Sequence, residues 1–366
     1  MTRTCFLHVG LPKTGTSYLQ SILRQSRPAL AAHGLGLVPG QRGAPFQLTL
    51  TVCEALSPDM DPPRAFSALD RFRDEVATAG WDRTLTSQEL LGAAEPAQIA
   101  TLLGALGDHE THVIVTVRDL AGFLPSAWQQ HVKARGVLPF QTYLEKFAAP
   151  GDEVPHPAYD LRGVLDRWGT CVPPERTHIV TVPKRGTSEL VLLERFCQVL
   201  GVDPTTLNTE APESNASLGL VQAELLRRVN VGLGDRLPHP RAGYREQGKL
   251  YLADKVLGPQ RGTVAQLPHR LTDWCEQASQ SMIARLAGGG FDIVGDLSDL
   301  VPQPAAFSDS QDVAERDISA AATAALADVL AHRSADLAEL EQLRARLRSL
   351  RRRTRGHRPP DQPRTS

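Results

Sequence analysis

Apolar and polar positions along this chain switch repeatedly between a short continuous run and a helical period, which predicts an alternation of strands and helices. Cys5-Phe6-Leu7-His8-Val9 is an apolar run of strand length, and it feeds into Gly10-Leu11-Pro12-Lys13-Thr14-Gly15-Thr16-Ser17. Beyond that loop, Tyr18, Leu19, Ile22 and Leu23 share one helical face. Gly34–Val38 reads as a short buried strand ended by Pro39, and 40–61, with little periodicity, as a loop over the active edge. Phe66, Leu69, Phe72 and Val76 predict a helix leading to Gly80; Arg83–Ser87 reads as a strand and 96–106 as another helix. His112–Val117 is β-branched and apolar, as expected for a central parallel strand, and a helix follows from about 120 to 134.

Further on, Phe140–Phe147 and Tyr159–Trp168 read as helices, His178–Val182 as a strand, and Leu190–Leu200 as a helix closed by Gly201. The remainder to about 300 is mostly helical, around Leu218–Val231, Leu250–Leu257 and Leu271–Leu286. This order predicts an α/β fold over residues 1–302, a P-loop-type parallel sheet with helices on both faces. Right-handed crossovers bring every strand's C-terminal end to one edge. Residues 303–312, rich in Pro, Ser and Asp, read as a linker. The Ala-, Leu-, Glu- and Arg-rich stretch 313–352 reads as a helical extension. There Leu340, Leu343, Leu347 and Leu350 are spaced like a short coiled-coil seam through which the chain could self-associate. The arginine-rich end, 353–366, reads as a disordered basic tail.

Composition narrows the class. At 41% hydrophobic and 22% charged residues, the chain has the make-up of a soluble globular protein. A net charge of −1 supplies no global field for nucleic acid or an anionic membrane. The five cysteines are scattered without a C-x-x-C pair, so neither a disulfide framework nor a metal site is expected from them. No apolar run approaches the roughly 20 residues that cross a bilayer. Apolar residues begin at once and lead into the glycine loop, so a cytoplasmic protein without a signal peptide is expected.

The loop at 10–17 carries the first candidate chemistry. Amides of a glycine loop and of the helix turn after it converge on an anion, and the helix dipole adds partial positive charge. The spacing Gly10-x4-Gly15 is that of a Walker A loop, but Thr16 stands where that motif has lysine; the loop's one lysine is Lys13. A phosphate-like anion is therefore expected, held by Lys13, Thr14, Gly15, Thr16 and Ser17, though not Mg-ATP in the usual way. At the ends of two other strands stand Ser87-Gln88-Glu89 and Arg118, the latter eight residues before Ser126. An arginine leaving a strand and a serine two turns into the next helix can clamp one phosphate. A carboxylate such as Glu89 can take a proton from an attacking hydroxyl.

These residues resemble the sulfotransferase family, whose donor is 3′-phosphoadenosine 5′-phosphosulfate (PAPS). Pro12-Lys13-Thr14-Gly15-Thr16-Ser17 is similar to its 5′-phosphosulfate loop, and Arg118 with Ser126 to its 3′-phosphate motif, although Leu120 follows Arg-Asp where the family commonly has proline. Ser87-Gln88-Glu89 resembles the Ser-x-Glu segment of carbohydrate-type and bacterial members, which implies Glu89 as base. His131 is its rival, because cytosolic members use histidine. Asn215-Ala216-Ser217-Leu218 resembles a stretch near the end of bacterial sulfotransferase domains. The resemblance covers residues 4–300 and implies metal-independent sulfuryl transfer from PAPS to a hydroxyl or amine of a small-molecule, lipid or carbohydrate acceptor. Two alternatives stand beside it: a P-loop kinase or other nucleotide phosphotransferase, and a non-catalytic nucleotide-binding interaction protein.

Overall fold

The computed structural model describes residues 3–149, 156–210, 217–237 and 240–355. Its centre is a six-stranded, all-parallel sheet. The strands are β1 (Thr4–Gly10), β2 (Leu35–Leu37), β3 (Arg83–Ser87), β4 (Glu110–Val117), β5 (Thr177–Thr181) and β6 (Asp292–Val294), in spatial order β2-β3-β1-β4-β5-β6. The α/β expectation holds, with β1 and β4 innermost.

Period-two alternation explains how the sheet is covered. From β1, Cys5, Leu7 and Val9 enter one core together with Val113, Val115, Val117 and Ile179. Onto this face pack α3 (Ala44–Val52), α4 (Ala68–Thr78), α5 (Pro96–Gly104) and α8 (Leu161–Gly169), through Leu48, Phe72, Leu102 and Trp168. Phe6, Leu85, Ile114 and Val180 point the other way, against α1 (Thr16–Gln25), α2 (Arg27–Ala32) and α9 (Leu190–Leu200). Burial of both faces is why these strands read as apolar runs.

A second, helical core lies beside this layer structure. It joins α6 (Leu120–Lys133), α7 (Phe140–Ala148), α10 (Leu220–Leu233), a π-wound helix (Pro240–Leu257), α11 (Thr272–Gly288) and the start of α12 (Glu315–Arg355). The stretch read as a linker is tied down. Leu267 N–H donates to Ala306 O at 2.9 Å, Ser308 N–H to Leu267 O at 2.8 Å, and Asp309 accepts from His269 N–H at 2.9 Å. Ile318, Ala321 and Ala325 of α12 are buried in the helical core, and Arg228 forks onto Glu315 with two bonds of 2.8 Å. Farther along α12, Leu340, Leu343 and Leu347 are exposed.

Two elements differ from the sequence reading. The stretch 40–61, read as a loop, contains α3, whose Ala-Pro-Phe-Gln-Leu-Thr-Leu-Thr-Val sequence is apolar on most sides and so lacks helical alternation. β6 was not expected at all; three residues are too few to show a period. Residues 211–216 lie outside the described residues, and with them most of the segment around Asn215, as does the end of the basic tail from 356.

Candidate functional site

Where β1 ends, two residues with left-handed backbone turn the chain into α1: Lys13 at φ 67° and Gly15 at φ 85°. For Gly15 this is inexpensive, and a side chain would be obstructed as well, since an added Cβ would lie 2.5 Å from Leu192 of α9. Gly15 is also the N-cap of α1 and offers no side-chain acceptor to the first turn. The first turn of α1 is thus left without a side-chain cap, the arrangement found where a helix start receives an anion.

Beneath the loop runs a chain of hydrogen bonds. Gln20 Nε2 donates to Glu89 Oε2 at 3.0 Å and to Ser87 Oγ at 3.2 Å. Ser87 Oγ is 2.8 Å from His8 Nδ1, His8 Nε2 is 3.2 Å from Thr116 Oγ1, and Thr116 Oγ1 is 2.5 Å from Thr14 Oγ1. Thr14 Oγ1 donates to Leu11 O at 2.5 Å, closing the loop on itself. With Ser87 donating to His8 Nδ1, His8 Nε2–H donates to Thr116 Oγ1, whose single proton is shared between Gly10 O at 3.0 Å and Thr14 Oγ1. The arrangement requires neutral His8, and burial pushes its pKa down to about 3. His8 is thus a fixed part of the scaffold that joins the acid at the end of β3 to the loop at the end of β1.

Cations crowd the loop. Burial first, then the charges of Lys133, Lys249 and Arg118 against that of Glu89, push the Lys13 ammonium down to about 8. Lys133, buried at the end of α6, pairs with Asp254 of the π-wound helix at 2.7 Å. Lys249, from the same helix, is lowered by burial and feels Asp254, Lys133, Arg245 and Glu89. Tyr159 closes the other side; burial and the Glu89 charge push its hydroxyl above the ordinary phenol range.

On the β4–β5 flank, Arg118 Nη1 donates to Lys13 O at 3.2 Å. Its Nε is buried without a hydrogen-bond acceptor, and Asp119 Oδ2 stands 4.0 Å away. Arg118 and Ser126 line one cavity of about 70 Å3 together with Lys184, Arg185 and Gly122. Gly122 leaves room for the guanidinium here, since an added Cβ would come within 2.5 Å of Arg118 Nη2 and make that side chain shift. The expected pairing of Arg118 with Ser126 is therefore present as shared walls of one cavity; Ser126 Oγ itself bonds Gly122 O at 3.2 Å.

His131 is placed elsewhere. Its ring faces Tyr143, with centroids 5.3 Å apart, and crowds Gly136; burial and the Lys146 charge lower its pKa. Among the described residues, no hydrogen bond or charge interaction joins it to the loop or to Glu89. Helical geometry explains this. Five residues beyond Ser126 is roughly 140° around the helix, whereas seven residues returns to the same face. The side chain at that position is Lys133, which sequence reading missed although the spacing was there to be used. Lys184 and Arg185 were also missed; they follow β5 as Arg118 follows β4. Lys249 and Asp254 had no local signal, because only tertiary packing brings their helix here.

Compared with family models, curated proteins and solved structures, the chain matches none of them.

Proposed function

We propose that this protein is a PAPS-dependent sulfotransferase. The observation that carries the reading is the concentration of Lys13, Lys133, Lys249 and Arg118 around one glycine loop, with the buried Arg118 Nε lacking an acceptor. Buried like charges are costly unless an anion joins them, and a nucleotide with phosphates at both ends supplies several. The loop amides of Thr14, Gly15, Thr16 and Ser17 would hold the 5′-phosphosulfate, and Arg118, Ser126 and Lys184 the 3′-phosphate.

In this reading the donor supplies an activated sulfuryl group, and the chain's residues do the rest. Glu89, held through Gln20, takes the proton of the acceptor hydroxyl as its oxygen bonds to sulfur. The bond between sulfur and the bridging phosphate oxygen breaks, leaving its electron pair on that oxygen. Lys13 neutralises the charge that grows there, the type of donor worth several kcal/mol in a transition state. The products are the sulfated acceptor and 3′-phosphoadenosine 5′-phosphate.

Calorimetric titration with 3′-phosphoadenosine 5′-phosphate, without metal, tests the reading; micromolar binding that is lost in Arg118→Ala supports it. Binding of Mg-ATP alone would replace it with a phosphotransferase, and binding of neither with an interaction protein.

A further inference from the structure

The donor reading accounts for one flank of the loop. A second cavity, of about 200 Å3, lies on the other flank, where α1 and α2, the chain after β2 and the end of β3 meet. Arg24, Arg27 and Arg42 stand in its wall, Arg27 donating to Gly40 O; among the described residues no acidic side chain lines it, and its apolar surface includes Phe46 and Leu85. Gln20 and Ser87, the two groups nearest Glu89 in the hydrogen-bonded chain, also line it.

We propose that this cavity binds the acceptor, and that the acceptor is a small molecule with an apolar body and an oxyanion. The assignment of this ligand as acceptor rests on the sulfotransferase reading; the oxyanion site itself rests on the cavity. Guanidinium groups are permanently charged and present forked donors that fit carboxylate, phosphate or sulfate. Three of them lining a cavity that also carries apolar surface match a ligand with an oxyanion and an apolar body. Sheet order fixes the relation to the donor. Arg118 and Lys184 belong to the ends of β4 and β5, this cavity to the ends of β2 and β3, and the loop from β1 stands between them. A ligand seated here is separated from Glu89 by the width of one glutamine side chain, since Gln20 Nε2 reaches Glu89 Oε2 at 3.0 Å.

The test uses the full-length protein and two probes that differ only in charge, 4-hydroxyphenylacetate and 4-hydroxyphenylacetamide. In calorimetry the acid is expected to bind at least about tenfold tighter than the amide, the scale of one charge-assisted hydrogen-bonded contact. Arg24→Gln combined with Arg42→Gln is expected to abolish that preference. The amide's affinity on the same variant reports whether the cavity remains folded. Equal affinities, a preference for the amide, or no binding of the acid would overturn the proposal, as would a preference that survives both substitutions. Titration with 3′-phosphoadenosine 5′-phosphate separates the two readings. If the acid prefers this cavity while the nucleotide does not bind, the oxyanion site stands and the sulfotransferase falls. If the nucleotide binds and the acid shows no preference, the oxyanion site falls alone.

Discussion

His112 Nδ1 lies 2.8 Å from His178 Nε2, across β4 and β5, at the end of the sheet remote from the loop. Their outer nitrogens reach carboxylates, His112 Nε2 to Glu110 at 3.0 Å and His178 Nδ1 to Asp292 at 2.6 Å. Three hydrogen bonds along this row require three protons on four ring nitrogens, one more than two neutral imidazoles carry. The row is complete with one added proton; a second would set N–H against N–H.

The opposition to a second added proton gives a pH dependence. Burial lowers the His178 pKa and the His112 charge lowers it further, although the bond to Asp292 and the charge of that group oppose them. A group with a lowered folded pKa binds more protons when unfolded, so stability falls as pH drops from the ordinary imidazole value toward the folded one. Urea midpoints are expected to decline as pH falls below about 6.5, the unperturbed histidine value. In His178→Gln this decline is expected to flatten, while stability at neutral pH drops by about 1 kcal/mol for the lost bond.

Lys13 sets a limb at the other end of the scale. With its ammonium pushed down to about 8, the unliganded protein loses that charge on mild alkalinisation. The kcat/KM for PAPS is expected to fall above that pH, because this parameter reports free-enzyme groups. The limb in kcat is expected to lie higher, since a bound oxyanion favours the ammonium. Lys13→Ala is expected to lower kcat by about 10²-fold at neutral pH, measured as initial rates of sulfuryl transfer.

Arg118 is predicted to act on binding. Arg118→Ala is expected to raise the donor KM by roughly 10- to 100-fold, the range for losing a charged hydrogen bond, with kcat little changed. A fall in kcat at unchanged KM would remove Arg118 from the 3′-phosphate.

Thr116→Val probes the chain beneath the loop. Valine keeps the shape but removes the hydroxyl that meets His8, Thr14 and Gly10 O. Leaving buried His8 Nε2–H unpaired is expected to cost about 1–3 kcal/mol in urea unfolding, and nucleotide binding is expected to weaken as the loop loses its support.

The two faces of α6 can be separated directly. Lys133→Gln is expected to weaken binding of 3′-phosphoadenosine 5′-phosphate by about tenfold, whereas His131→Asn is expected to leave it within about twofold, the scale for side chains away from a site. A large loss of rate in the His131 variant would restore that histidine as the base.

The sheet and the loop were legible because their signals are local. β1 and β4 are apolar on both faces, and the glycines that make the loop adjoin β1 in sequence. Arg118 was legible for the same reason, as a charge directly after an apolar strand. α3 was not, because a helix covered on most sides has no polar stripe to mark it. Lys249 and Asp254 act at the loop only through the packing of a helix more than 200 positions downstream of Lys13. The cavity wall at Arg24, Arg27 and Arg42 was equally hidden, since single arginines on α1, α2 and the following chain look like ordinary solvated residues until the fold brings them to one cavity.

The position of the loop, with a cavity on either flank, also bears on the order of events during turnover. The two cavities share no lining residue, and Arg118 and Arg42 belong to different walls. On the sulfotransferase reading, two reactants so placed would occupy the protein together, and neither would have to depart before the other arrives. Initial-rate lines at varied donor and acceptor concentrations would therefore intersect instead of running parallel, with no sulfated form of the protein accumulating between half-reactions.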